Sequence, residues 1–167
     1  ADSGPLRGIK KQLLEGGIRA PLVIKYPRIA TSGNELSIPV THLDLLPTLV
    51  EIAGGKVQEN VHDGVSLMPE LMGWSKLPER ALYWHFPSFR GTDQFFHQEP
   101  ASVIRKGDWK LHQSLENLDD IQLYNLATDI GEANNVASQN PEIADRLRKQ
   151  LERWRAEAKV SMPTPLN

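Results

Sequence analysis

The block LRGIKKQLLEGGIRAP, Leu6 to Pro21, sets two adjacent lysines, Lys10 and Lys11, shortly before the glycine pair Gly16-Gly17. An ammonium is a compact point charge that neutralises an anion without demanding bidentate geometry. Adjacent glycines permit dihedrals or a close backbone approach that side chains would block. Most lysines are solvated surface groups, so residue type alone leaves both as ordinary exposed cations. Further on, His85 stands near the end of LYWHFP, just before the loop Pro87 to Pro100, which mixes Phe89, Phe95 and Phe96 with Arg90, His97 and Gln98. Aromatic faces and cations on a loop held by a rigid sheet suit an anionic ring. The same aromatics equally suit packing of the loop onto the sheet, with His85 bonded to backbone, and both readings stand for that residue.

Other chemistries find little support. The chain has no cysteine, which removes disulfides, thiolate metal sites and a cysteine nucleophile. Histidines 42, 62, 85, 97 and 112 show no short pairing such as HxxxH, so no metal ligands are assigned. His42 reads as flanking a helix and His112 as lying on a strand face. Asp129, Glu132, Asn134 and Asn135 lack the alternating order of a calcium loop and read as turn formers. A net charge of -2 with interspersed signs argues against nucleic acid as partner. No apolar run approaches the roughly 20 residues that span a bilayer.

The elements that must position these residues follow from periodicity. Pro21 to Pro27 (PLVIKYP) is a short apolar run that reads as a buried strand. Leu43, Leu46, Leu49, Val50 and Ala53 recur at helical spacing, with the start near Pro47 and a stop at Gly54-Gly55. A second short helix spans Leu67 to Met72. Strands are expected at Ala81 to Phe86, Ser102 to Arg105, Trp109 to His112 and Ile121 to Tyr124, with a tight turn at Lys106-Gly107-Asp108. Asn140 as cap and Pro141 at the first helical position open a long helix striped by Ile143, Leu147, Leu151 and Trp154. Trp84, Trp109 and Trp154 read as core.

The resulting fold class is α+β: a C-terminal four-stranded antiparallel sheet packed by a long C-terminal helix, preceded by a fragment of a larger α/β domain. The boundary falls between 1–78, with the lysine block, one strand and two helices, and 79–167, with the sheet and helix.

Six blocks in order resemble the C-terminal portion of the type I sulfatases of the alkaline-phosphatase-like superfamily. They are LRGIKKQLLEGGIRAPLVIKYP, THLDLLPTLVEIAG, DGVSLMPELMG, LYWHFP, IRKGDWKL and LYNLATDIGEANNVA. The resemblance implies that Lys10 contacts the sulfate, with Lys11 left to solvent, and that His85 helps place the substrate or leaving group. Glu15, Gly16, Gly17 and Arg19 would hold the turn that positions Lys10, and Arg90 and His97 would contact substrate. Formylglycine and calcium are implied for the full-length parent, with none of their ligands in this chain; Asp2 is not assigned to the metal. The implied partners are an N-terminal sulfatase domain and a sulfated carbohydrate or aryl sulfate, in a periplasmic or extracellular setting. The isolated chain is expected to be inactive and, with an exposed edge and apolar surface, to self-associate. Two other readings are a phosphoester hydrolase of the same superfamily and a non-catalytic carbohydrate-binding or structural module.

Overall fold

The structure is a computed structural model and describes residues 4–26, 33–58, 63–88 and 99–163. Its elements are α1 (Glu15–Ile18), α2 (Leu45–Ile52), α3 (Met68–Leu71), β1 (Ala81–Phe86), β2 (Ala101–Lys106), β3 (Trp109–Ser114), β4 (Ile121–Asn125) and α4 (Pro141–Ala158). They form two compact units, one joining residues up to Ala20 to those from Glu79 onward, the other running Pro21–Pro78. The lysine block therefore falls in the unit that holds the sheet, apart from 21–78.

In the first unit the strands form an antiparallel sheet in the order β1-β2-β3-β4. Lys106 pairs with Trp109, which leaves Gly107-Asp108 as a two-residue turn, and Gly107 takes the positive φ of 58° that this turn requires. Because side chains alternate across a strand, the register sorts them into two faces. Ile104, Leu111 and Leu123 point to one face and are buried against Ala144, Leu147 and Leu151 of α4. On this face Tyr83 stacks on Trp154, with ring centroids 4.7 Å apart. Trp109 and Trp154 pack against this cluster, whereas Trp84 is half-buried on the opposite face. Leu151 has no exposed surface. Leu151→Ala is expected to cost about 3 kcal/mol, read by urea denaturation, since truncation leaves a cavity in a close-packed core.

α4 starts at Pro141 as expected, but Asn140 does not cap it. The Asn140 side chain instead donates from Nδ2 to the Val136 carbonyl at 3.1 Å. The helix ends on Lys159 in the left-handed region, φ 50°.

In the second unit Asp44 organises the backbone. Its Oδ2 accepts the Thr41 N–H at 2.8 Å, closing a capping box, and its Oδ1 accepts the Val65 N–H at 2.9 Å. The Thr48 hydroxyl takes the Leu67 N–H at 2.9 Å. Gly64 packs so closely that a Cβ there would lie 2.0 Å from the Leu43 carbonyl oxygen. These contacts account for the Asp44, Thr48 and Gly64 positions of two of the sequence blocks.

One expectation changes here. Residues 21–26 form no strand; Leu22 and Val23 are exposed, and a strand without a neighbouring backbone has nothing to satisfy its ladder. The helix α2 forms, but its leucine stripe is not core: Leu43, Leu46 and Leu49 remain 45%, 56% and 60% exposed, while Pro47 and Thr48 are buried.

Candidate functional site

The face of the sheet opposite α4 carries Arg105, Lys110, His112 and Tyr124, and the N-terminal block lies on it. Glu15 reaches from the start of α1 to both Lys110 and Arg105. Its Oε1 is 3.0 Å from the Lys110 Nζ and its Oε2 is 3.1 Å from an Arg105 nitrogen. Lys110 has no exposed surface and makes a second ion pair, 2.9 Å from Glu132 Oε1. Glu132 is also fully buried, and its Oε2 accepts the Glu15 N–H at 2.7 Å. Arg7 donates to the Glu132 backbone carbonyl. A buried cation thus lies between two buried carboxylates, which is tolerable only because each charge is both paired and hydrogen-bonded.

His112 completes the cluster with its Nε2 3.0 Å from Glu132 Oε1. Burial lowers its pKa below 6.5, the Glu132 bond only partly offsets this, and the Lys110 charge lowers it further. The imidazole is therefore neutral near pH 7 and donates from Nε2. Burial disfavours the Glu132 carboxylate, but the His112 bond, the Lys110 charge and the Glu15 N–H outweigh it and hold the pKa below 4.5. Both shifts make acid destabilising. Below about pH 6.5 the unfolded imidazole takes up a proton that the folded one resists, and near 4.5 the unfolded carboxylate protonates before the folded one. Melting temperature should therefore be level above pH 7, fall below 6.5 and fall again below 4.5. The first fall should vanish in His112→Gln; a wild-type profile flat from pH 7 to 5 would contradict the assignment.

Lys10 sits in a turn built on this anchor. Gln12 N–H bonds to the Ile9 carbonyl at 3.0 Å, and the Gln12 side chain accepts the Ile9 N–H at 2.9 Å. Lys10 occupies the first central position, and Lys11, at φ 85°, occupies the second in the left-handed region. The glycine pair lies directly behind. A Cβ on Gly16 would lie 2.2 Å from the Gly8 carbonyl oxygen, and one on Gly17 would lie 2.1 Å from that of Gln12. Gly16 N–H also bonds to the Arg7 carbonyl at 2.8 Å. The Lys10 side chain is exposed, and so is Arg19. Beside the turn opens a pocket whose lining includes Arg7, Gln12, His112, Ser114, Glu99 and Pro100. Gln12 at the end of the turn thus lines the same concavity as Glu99 and Pro100, while Lys10 is not among its lining residues.

His85 lies elsewhere. Its Nε2 donates to the Ser161 carbonyl at 2.7 Å, so its Nδ1 accepts from the Ser102 hydroxyl at 2.7 Å. It projects with Tyr83 to the α4 side, edge-on to Trp154, so the structure does not bring Lys10 and His85 together. Arg90, His97 and the loop's three phenylalanines lie outside the described residues, as do Asp2 and His62. Asp129 is a turn former, accepting the Ala133 and Asn134 N–H groups at 3.0 and 2.8 Å. Glu132, read in the same way from sequence, is instead a buried partner of Lys110. Sequence reasoning missed Lys110, Arg105 and the buried role of Glu132, and no local signal in the sequence marked them.

No group of three or more His, Cys, Asp or Glu side chains among the described residues could hold a metal ion. A calcium site of the kind implied by resemblance therefore does not fit these residues.

Residues 9–157 match the family described as N-sulphoglucosamine sulphohydrolase, C-terminal. The chain is 34% identical over 171 residues to a sulfatase of Formosa agariphila, covering 92% of this chain and 30% of that protein. It is 34% identical over 176 residues to human arylsulfatase A, covering 93% of this chain and 34% of that protein. Among solved structures it is similar to Ps i-CgsB, with a TM-score of 0.71 at 28% identity over 90% of this chain and 32% of that one. It is also similar to BT4656 in complex with D-glucosamine-2-N,6-O-disulfate, with a TM-score of 0.66 at 25% identity over 82% and 28%. The chain thus spans about 30% of the length of the first of these relatives. With the family matched across most of its length and the antiparallel sheet and C-terminal helix in place, this chain belongs to the N-sulphoglucosamine sulphohydrolase C-terminal family and resembles the C-terminal portion of sulfatases.

Proposed function

We propose that this chain supplies the sulfate-binding cation of a sulfatase that hydrolyses sulfate esters of carbohydrates, and that Lys10 is that cation. The observation that carries the reading is the Lys10 turn, an exposed ammonium on a corner backed by Gly16 and Gly17 and tied to the sheet through Glu15. Hydrolysis of a sulfate ester builds negative charge on the sulfuryl and leaving oxygens, and a fixed cation stabilises that charge only if its position is set beforehand. Lys10 provides the charge, and the turn provides the position. In this reading Arg90 and His97 contact the sugar. The sugar assignment is supported by the relative solved with a disulfated glucosamine and by Ps i-CgsB, solved with k-i-k-neocarrahexaose.

His85 takes a supporting role in this scheme, because both ring nitrogens are already used to hold Ser102 and the segment after α4. Nucleophilic and metal chemistry belong to the remainder of the sulfatase, and the exposed Leu43, Leu46 and Leu49 give that remainder an apolar face to cover. Alone, the chain does not turn over substrate.

The reading is tested by assaying the intact protein that contains this chain on paired aryl sulfate and aryl phosphate esters, with the 167-residue chain assayed alongside. Turnover of the sulfate ester by the intact protein and none by the chain is expected. Preference for the phosphate ester, or glycan binding by the chain without hydrolysis by the intact protein, would overturn it.

A further inference from the structure

We propose that Lys110 is the positioning residue for Lys10, acting through Glu15 and the glycine pair from beneath the turn. The proposal rests on the reading of Lys10 given above, but its geometry stands independently. Lys110 is a strand residue with no exposed surface, so it can touch no substrate and its charge serves only the groups around it. Those groups are two carboxylates. One is Glu15, the first residue of the α1 turn whose next two residues are Gly16 and Gly17. The other is Glu132, which takes the Glu15 backbone N–H as well as the ammonium, so side chain and backbone of Glu15 are both fixed. From there the path is through backbone contact alone. Gly16 lies against Arg7 and Gly8, and Gly17 against the carbonyls of Ile9 and Gln12, the two ends of the turn that carries Lys10.

This arrangement favours positioning over simple stability. The sheet already has an apolar core on its α4 face, where Leu151 and its neighbours are buried. A charged cluster on the other face is an expensive way to add stability, since a buried ion pair seldom outperforms apolar packing of the same volume. Its effect is directional. It fixes one short segment at one height above the sheet, within the tolerance that charge stabilisation at a reacting group demands.

Amide hydrogen exchange on the 167-residue chain tests this. The reporting amides are Gln12, bonded to Ile9, and Gly16, bonded to Arg7, compared with Leu123 in β4 and with the amides of α4. In Lys110→Met the turn amides should lose about tenfold more protection than the β4 and α4 amides, since local opening is read separately from global unfolding. Leu151→Ala, which weakens the same sheet from its other face, should lower protection without singling out the turn. Lys110→Arg, which keeps the charge, should restore part of the turn protection. Equal losses at turn and sheet in Lys110→Met, as in Leu151→Ala, would overturn the proposal; if Lys110→Met does not fold, Glu15→Gln reads the same amides. A Lys10 ammonium that fails to respond to inorganic sulfate would instead sink the functional reading, while selective loss at the turn would still assign Lys110 its positioning role.

Discussion

Lys110→Met should destabilise the chain by about 3–5 kcal/mol, the cost of removing one partner from a buried ion pair. The methionine fills most of the lysine's volume, so the loss is electrostatic. Glu15 and Glu132, 1% and 0% exposed, would be left without the ammonium that sits 3.0 and 2.9 Å from them. For a domain of this size the effect corresponds to a fall in melting temperature of about 10 °C. Adding Glu15→Gln and Glu132→Gln should recover part of the loss, because the uncompensated charges go with the carboxylates and the neighbouring substitutions are not additive. Urea denaturation of the single and combined variants measures both effects. A single-variant loss below about 1 kcal/mol would show that the cluster is far better solvated than its burial indicates.

Lys10→Ala in the intact sulfatase should lower kcat for an aryl sulfate by about a hundredfold or more, the scale seen when one fixed donor to a developing oxyanion is removed. The folded state should be nearly unaffected, since the Lys10 side chain is exposed and the turn is held by backbone bonds and by Gln12. Lys11→Ala is the matched control. It removes an equal charge one residue away at the left-handed position of the same turn. Similar kinetic losses in the two variants would mean that general positive charge, not a placed cation, is at work.

The sheet and long helix were legible because their signals are local. Alternation in β1 to β4, glycine at the β2–β3 turn and the Ile143, Leu147, Leu151 stripe each depend on residues close in sequence, and each element formed where it was expected. Pro21 to Pro27 misled because an apolar run bounded by prolines describes a strand's composition without supplying the backbone it must pair with. The α2 stripe was read correctly as a helix, but what covers the apolar side is not written in its own residues.

The candidate site was legible in one half. The glycine pair and the lysine lie within one short block, and it was the resemblance of that block, not the residue type, that singled out Lys10. The anchor beneath it could not be read, because Glu15 meets Lys110 and Glu132 across sequence separations of 95 and 117 residues. Nothing in the local pattern distinguishes Lys110 from a solvated strand lysine, or Glu132 from another polar residue of a turn. Only the register shows that Lys110 faces away from α4, and only the fold shows that the N-terminal block lies there.

The most direct test of a placed sulfate-binding cation is a titration of this chain with inorganic sulfate at low ionic strength, followed by NMR at the lysine side-chain nitrogens. The account predicts a saturable shift at the Lys10 ammonium, absent in Lys10→Ala and weakened in Lys110→Met, with Lys11 moving little. Equal, non-saturating shifts at all exposed lysines, or a Lys10 signal that does not move, would contradict it.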